Sequence, residues 1–134
     1  MTTYTGNSGV VTFSGNVVGE VREFMYSSDA PPLENTKLTA TNRTYLAGLP
    51  EIKGTVSCWY DPGDSTGQVA MATALAAGSS VTLVLRPLGT GSGKVQETGT
   101  VVITSRKNSV KFQEVNTIDF DFFASGAFVT SNQP

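Results

Sequence analysis

Asp119 and Asp121 stand two residues apart in the stretch DFD, and residues at that spacing on a strand share one face. Two carboxylates so placed could share a proton or hold a cation. Phe120 and Phe122 supply the plainer reading, a solvated face backed by an apolar one. A second acidic pair lies in DPGD at 61–64, but a calcium loop needs more oxygen ligands in a tighter register, and Pro62-Gly63 reads as a turn that launches a helix. GTGSGK at 89–94 has the composition of a phosphate-cradling loop. Such a loop must feed a helix, and here a strand follows, so it reads as a hairpin tip.

The remaining candidates thin out quickly. Histidine is absent, which excludes Ser-His and Cys-His nucleophiles and histidine metal sites. Cys58 is the only cysteine, so no disulfide framework and no thiol cluster can form within the chain. Between Val56 and Trp59 it reads as a packed thiol. NRT at 42–44 matches a glycosylation acceptor but has no secretion signal in front of it. Trp59 and Tyr60 could make a sugar platform, though aromatics beside Cys58 at a strand end are more often core or interface. No catalytic, cofactor-binding or metal-binding residue is assigned, and no enzymatic step is expected.

Composition narrows the classes further. A chain of 134 residues suits one domain, and 39% hydrophobic with 15% charged residues, spaced by Gly, Thr and Ser, reads as mainly β. The net charge of −2 supplies no basic surplus for gripping nucleic acid. No opening segment reads as a secretion signal, and no run approaches the ~20 apolar residues of a membrane span.

These residues sit on elements that the periodicity predicts. GVVTFSGNVVGEVREFMY at 9–26 reads as a hairpin, EIKGTVSCWY at 51–60 as a strand with one wet face, and SVTLVLRPLG at 80–89 as a buried strand. KVQETGTVVITSRKN and SVKFQEVNTIDFDFFASG read as two more strands joined by a basic turn at 105–109. In the second, Val110, Phe112, Ile118, Phe120 and Phe122 keep even spacing. YDPGDSTGQVAMATALAAG holds the one helix, predicted over about 66–77, with a Ser65/Gln68 capping box and a Gly78 stop. Residues 27–50 carry Pro31, Pro32 and Pro50 without sustained periodicity and read as a long loop, functional or mobile. Residues 1–8 and 129–134 read as loosely held ends. The expected fold is a β-sandwich or small barrel of six to eight strands with one flanking helix.

The order of these blocks resembles the tail tube proteins of long-tailed bacteriophages. The likeness covers residues 9–126: the hairpin, the long loop, YLAGLPEIKGTVSCWYDPGDSTGQVAMATALAAGSSVTLVL with its G-x-V, W-x-D and D-x-x-G-Q segments, and the phenylalanine-rich strand KFQEVNTIDFDFFASG. The resemblance implies a structural virion protein whose subunits form hexameric rings. Inner sheets join into one closed barrel, and the rings stack into a tube that conducts DNA without binding it. It implies as partners the subunit itself and tail tip, tape-measure and tail terminator proteins, and it implies no cofactor. Interface candidates are Pro31, Pro32, Leu33, Leu38, Tyr45 and Leu46 of the 27–50 loop, expected to order on an adjacent ring, with Met71 and Leu75 of the small-residue helix. Acidic lumen candidates are Glu20, Glu97, Asp119 and Asp121. Two other readings stand beside this one: a ring or tube component of a contractile injection or secretion system, and a monomeric Ig-like adhesion or decoration module.

Overall fold

The computed structural model describes residues 9–134; the expected loose end at 1–8 lies outside the described residues. Ten strands and one helix follow in chain order: β1 (Val10–Phe13), β2 (Asn16–Val17), β3 (Val21–Asp29), β4 (Pro32–Glu34), β5 (Tyr45–Ala47), β6 (Glu51–Trp59), α1 (Gln68–Ala77), β7 (Ser80–Arg86), β8 (Val95–Ser109), β9 (Thr117–Ala124) and β10 (Val129–Asn132). Eight of the strands form one antiparallel sheet ordered β2-β1-β7-β8-β9-β6-β3, with β10 also on β8. β4 and β5 pair only with each other.

The long β8 gives the sheet its shape. Its residues 97–102 pair with β7, while 101–109 pair with β9, with a bulge between Ile103 and Ser105. A bulge bends and twists its strand, and the two halves of the sheet fold over one another until β1 meets β3 near the opposite end of the strand order. The sheet does not close. Between the halves lies one core: Val11 and Phe13 from β1, Leu83 and Leu85 from β7, Val101 and Ile103 from β8, Ile118, Phe120 and Phe122 from β9, and Val56 and Cys58 from β6. The helix adds Met71 and Ala74 and packs on β8. Of the expected sandwich or small barrel with a flanking helix, the structure is the sandwich, with its sheet left open. Gly54 is needed where β3, β6 and β9 crowd together, since a Cβ there would press on the Met25 carbonyl and come within 2.7 Å of the Phe122 ring.

Cys58 is fully buried, and burial first, then Asp64 and Asp119, push its thiol up to about 12. We expect no reaction with thiol reagents at pH 8 until the subunit unfolds. Because the folded value lies above the unfolded one, the stability this thiol contributes is fully present below about pH 9. It falls between pH 9 and 12 by at most about 1.4 kcal/mol per pH unit. A series of urea midpoints across that range measures it.

Four expectations need correction. Residues 105–109 are not a turn but the second half of β8, held by β9, and the turn falls at 110–116, so Val110 and Phe112 leave the strand and stand exposed. The 27–50 segment is not an unstructured loop. β3 runs to Asp29, and β4–β5 extend it as a hairpin through the Gly48 N–H to Pro31 carbonyl bond of 2.7 Å and the pairs Pro32–Ala47, Leu33–Leu46 and Glu34–Tyr45. The C-terminal end is not loose: β10 pairs with β8, and the buried Gln133 holds the 89–94 tip, accepting from Gly91 N at 3.1 Å and donating to the Gly89 carbonyl at 2.8 Å. Ser65 makes no capping box, for the helix starts at Gln68 with Gly67 as its cap. No helix among the described residues is long and apolar enough to cross a membrane.

Candidate functional site

β-Strand residues that face each other across a ladder share a side of the sheet. On the half made by β3, β6, β9 and the distal part of β8, the pairs Val56–Phe120, Gly54–Phe122 and Cys58–Ile118 point into the core. The alternate pairs Thr55–Asp121, Ser57–Asp119, Glu23–Ser57, Asp29–Glu51, Ser105–Asp121 and Lys107–Asp119 therefore make the outer face. That face is polar. It carries Glu23, Asp29, Glu51, Asp119 and Asp121 against Lys53, Lys107 and, at one end, Arg22, whose guanidinium lies 5.3 Å from the centre of the Trp59 ring. The Asp121 carboxylate accepts from Thr55 Oγ1 at 2.7 Å and Ser105 Oγ at 3.1 Å, which ties three strands together on the outside.

Neither margin of this four-stranded half has a strand partner, although Arg106 of the β8 margin lines a small cavity with Val69 and Ala72 of the helix. β3 ends the strand order, and residues 103–109 of β8 extend past the last β7 pair at Val102. Unpaired N–H and C=O groups along an edge recruit another strand, and neither margin contains a proline.

The two ends of the half differ. At one end the β4–β5 arm projects, six residues of extended chain from Asp29 to Asn35, or roughly 20 Å. It shows Leu33, Tyr45 and Leu46 to solvent, with Leu38 fully exposed in the tip connection that also carries the exposed Lys37 and Arg43. At the other end lie the 110–116 turn, with Val110, Phe112 and Val115 exposed, and the Trp59-Tyr60 corner.

That corner is clamped by one side chain. The Gln68 amide, 2% exposed, accepts from Asp61 N at 2.9 Å and donates to the carbonyls of Trp59 at 2.9 Å and Gly19 at 3.1 Å. The Asp64 carboxylate accepts from Gly19 N at 2.9 Å and Gln68 N at 3.1 Å. Gly67 is required because a Cβ there would meet that carboxylate. The D-x-x-G-Q segment is thus a structural lock between the β2–β3 turn, the end of β6 and the helix start. Gln68→Ala leaves three backbone groups without their partner and should cost about 2–3 kcal/mol, read from the urea midpoint.

The residues singled out from sequence divide accordingly. Asp119 and Asp121 fall together on the polar face. Glu20 lies in the turn at the clamped end, and Glu97 lies off the polar face, accepting from Thr130 Oγ1 at 2.7 Å; Glu97 adds to burial in raising the pKa of Tyr26. Pro31, Pro32, Leu33, Leu38, Tyr45 and Leu46 all belong to the arm or its base. Met71 is corrected: it is fully buried in the subunit's own core and cannot present an interface, while Leu75 packs partly buried beside it. Sequence reading passed over Glu23, Asp29 and Glu51 as face residues, although their strand-period spacing was visible; the missing information was the register between β3 and β6. No group of three His, Cys, Asp or Glu that could hold a metal occurs among the described residues.

No protein family and no curated protein matches the chain by sequence. Its fold, however, is shared with solved structures. It matches a chain in the tail of an empty gene transfer agent (GTA) particle refined with C6 symmetry at TM-score 0.80, 15% identity, covering 98% of this chain and 100% of that one. The SPP1 tail tube matches at TM-score 0.80 and 17% identity, covering 98% and 80%. The sheath/tube terminator structure of PVC, an extracellular contractile injection system, matches at 0.77 and 10%, covering 98% of both chains. The chain has the tail-tube fold.

Proposed function

We propose that this chain is the building block of a tube: a non-enzymatic structural protein of a phage-like virion that closes into rings of six and stacks. The observation that carries this is the polar four-stranded half with unpaired margins on both sides. Joining the β3 edge of one copy to the 103–109 edge of the next removes both edges and continues the sheet. The sixfold symmetry of the GTA tail supports that count by analogy. Six copies of four strands give a barrel of about 24 strands, whose radius at ~4.8 Å strand spacing and ~40° tilt is about 24 Å. The outer face of each subunit then becomes the lumen, and five acids against three bases per copy make it mildly repellent to phosphate. DNA slides through such a conduit without being held. The ends of the stack are the expected contacts for tail tip and terminator proteins, and a tape-measure protein is the expected occupant of the lumen before DNA.

The PVC likeness supports a second reading, the inner tube of a contractile machine. The adhesion reading is weaker, since Arg22 already covers the Trp59 ring that a sugar would stack on. Sedimentation velocity over a concentration series, with and without purified tail-tip complex, tests the proposal. Tube-sized species nucleated by the tip support it, whereas a monomer at every concentration even with the tip refutes it. Tubes that recruit a sheath protein from the same particle select the contractile reading.

A further inference from the structure

We infer that the cleft at the clamped end is the receptor for the arm tip of a second copy in the next ring. The inference rests on the tube reading above and adds the partner surface to it. The cleft is lined by Glu20, Trp59, Tyr60, Asp61 and Val115, two carboxylates and three apolar or aromatic side chains, with the Arg22 guanidinium over the Trp59 ring at 5.3 Å, so its acidic part is the Glu20 and Asp61 wall. The connection at the arm tip carries a matching set, the exposed Lys37 and Arg43 with the fully exposed Leu38.

Placement agrees with chemistry. β3 and β6 are one antiparallel pair; the arm leaves from its Asp29–Glu51 end, and the cleft stands at its Val21–Cys58 end. Two different, complementary patches at opposite ends of one subunit make a heterologous contact, which propagates instead of closing. The cleft is also pre-organised, so little freedom is lost on docking. Gln68 fixes the carbonyls of Gly19 and Trp59 and the N–H of Asp61, the Trp59 N–H donates to the Glu20 carbonyl at 2.9 Å, and the Tyr60 N–H donates to the Asn116 carbonyl at 2.9 Å. The W-x-D and D-x-x-G-Q segments then have a second use, to hold the walls of a socket.

A charge exchange tests the pairing. One variant carries Lys37→Glu and Arg43→Glu, the other Glu20→Lys and Asp61→Lys, each checked for folding by circular dichroism. Each alone should need more than roughly tenfold the wild-type concentration to form tubes, and an equimolar mixture should assemble near the wild-type concentration, because the reversed tip of the first fits the reversed cleft of the second and the unchanged tip of the second fits the unchanged cleft of the first. Single variants that assemble like wild type, or a mixture that stays as blocked as its components, overturn the pairing. Independently of charge, the double variant Leu38→Cys and Val115→Cys should give a ladder of disulfide-linked oligomers in tubes grown from the tip and oxidised; tubes with no ladder overturn it. Wild-type protein that never forms tubes on a tail tip sinks the tube reading itself, a result separable from either of these.

Discussion

Deleting residues 32–47 abolishes tube assembly and leaves the subunit folded. The first half of that expectation follows from what the arm exposes, the second from what it does not touch. β4 and β5 pair only with one another, and none of their residues belongs to the core cluster. Their removal therefore takes nothing from the subunit's core, and Pro31 and Gly48 already face each other where the shortened turn would close. Leu33, Leu46 and Tyr45 are each more than half exposed, and full burial of such side chains at a ring interface is worth about 1.5–3 kcal/mol apiece. With six arms acting in parallel, the loss per ring is large against any residual contact. The cut must respect the ladder: removing residues 30–43 alone would strand β5 without its partner. Unchanged melting by circular dichroism together with an absence of tubes by electron microscopy is the expected pair of results. Normal tubes would show that the arm has no part in stacking.

The double substitution Glu23→Lys and Glu51→Lys turns a passive conduit into one that holds DNA. Both residues are exposed on the polar face, paired across β3 and β6 with Ser57 and Asp29, so neither change disturbs the core. Each copy exchanges two acids for two bases, and six copies per ring bring about twelve new cations toward the lumen. Every phosphate they neutralise adds about 0.9 to the salt slope of binding. Tubes of the variant should retain short duplex DNA in co-sedimentation at ~50 mM salt and release it steeply by ~200 mM, while wild-type tubes retain none at either. Variant tubes that retain none would mean that this face does not line the channel.

Much of this architecture was legible in the chain. Alternation in 51–60 and 117–124 marks strands with one buried side, because Val56, Cys58, Ile118, Phe120 and Phe122 must all reach a single core. The helix was visible from its left-handed stop at Gly78, which the structure keeps. The misreadings share a physical cause: period and composition report burial within the subunit, and several segments answer to something else. Val110 and Phe112 continue the strand period of β9 but are exposed in a turn. The basic residues 106–107 read as a turn because they are polar, yet they extend a strand with one free edge. The β4–β5 arm shows no alternation because it has no buried side to alternate against. Gln68 carried the right spacing for a capping box, but its amide serves three more distant backbone groups, a role that depends on where the β2–β3 turn arrives in space.

Helical reconstruction of assembled tubes by cryo-electron microscopy is the most direct test of the central claim. It should show six subunits per ring, a continuous barrel of about 24 strands in which the β3 edge of each copy pairs with residues 103–109 of its neighbour, and Asp121 facing the channel. A ring in which those two edges stay unpaired, or in which the face carrying Asp121 points away from the channel, would contradict it.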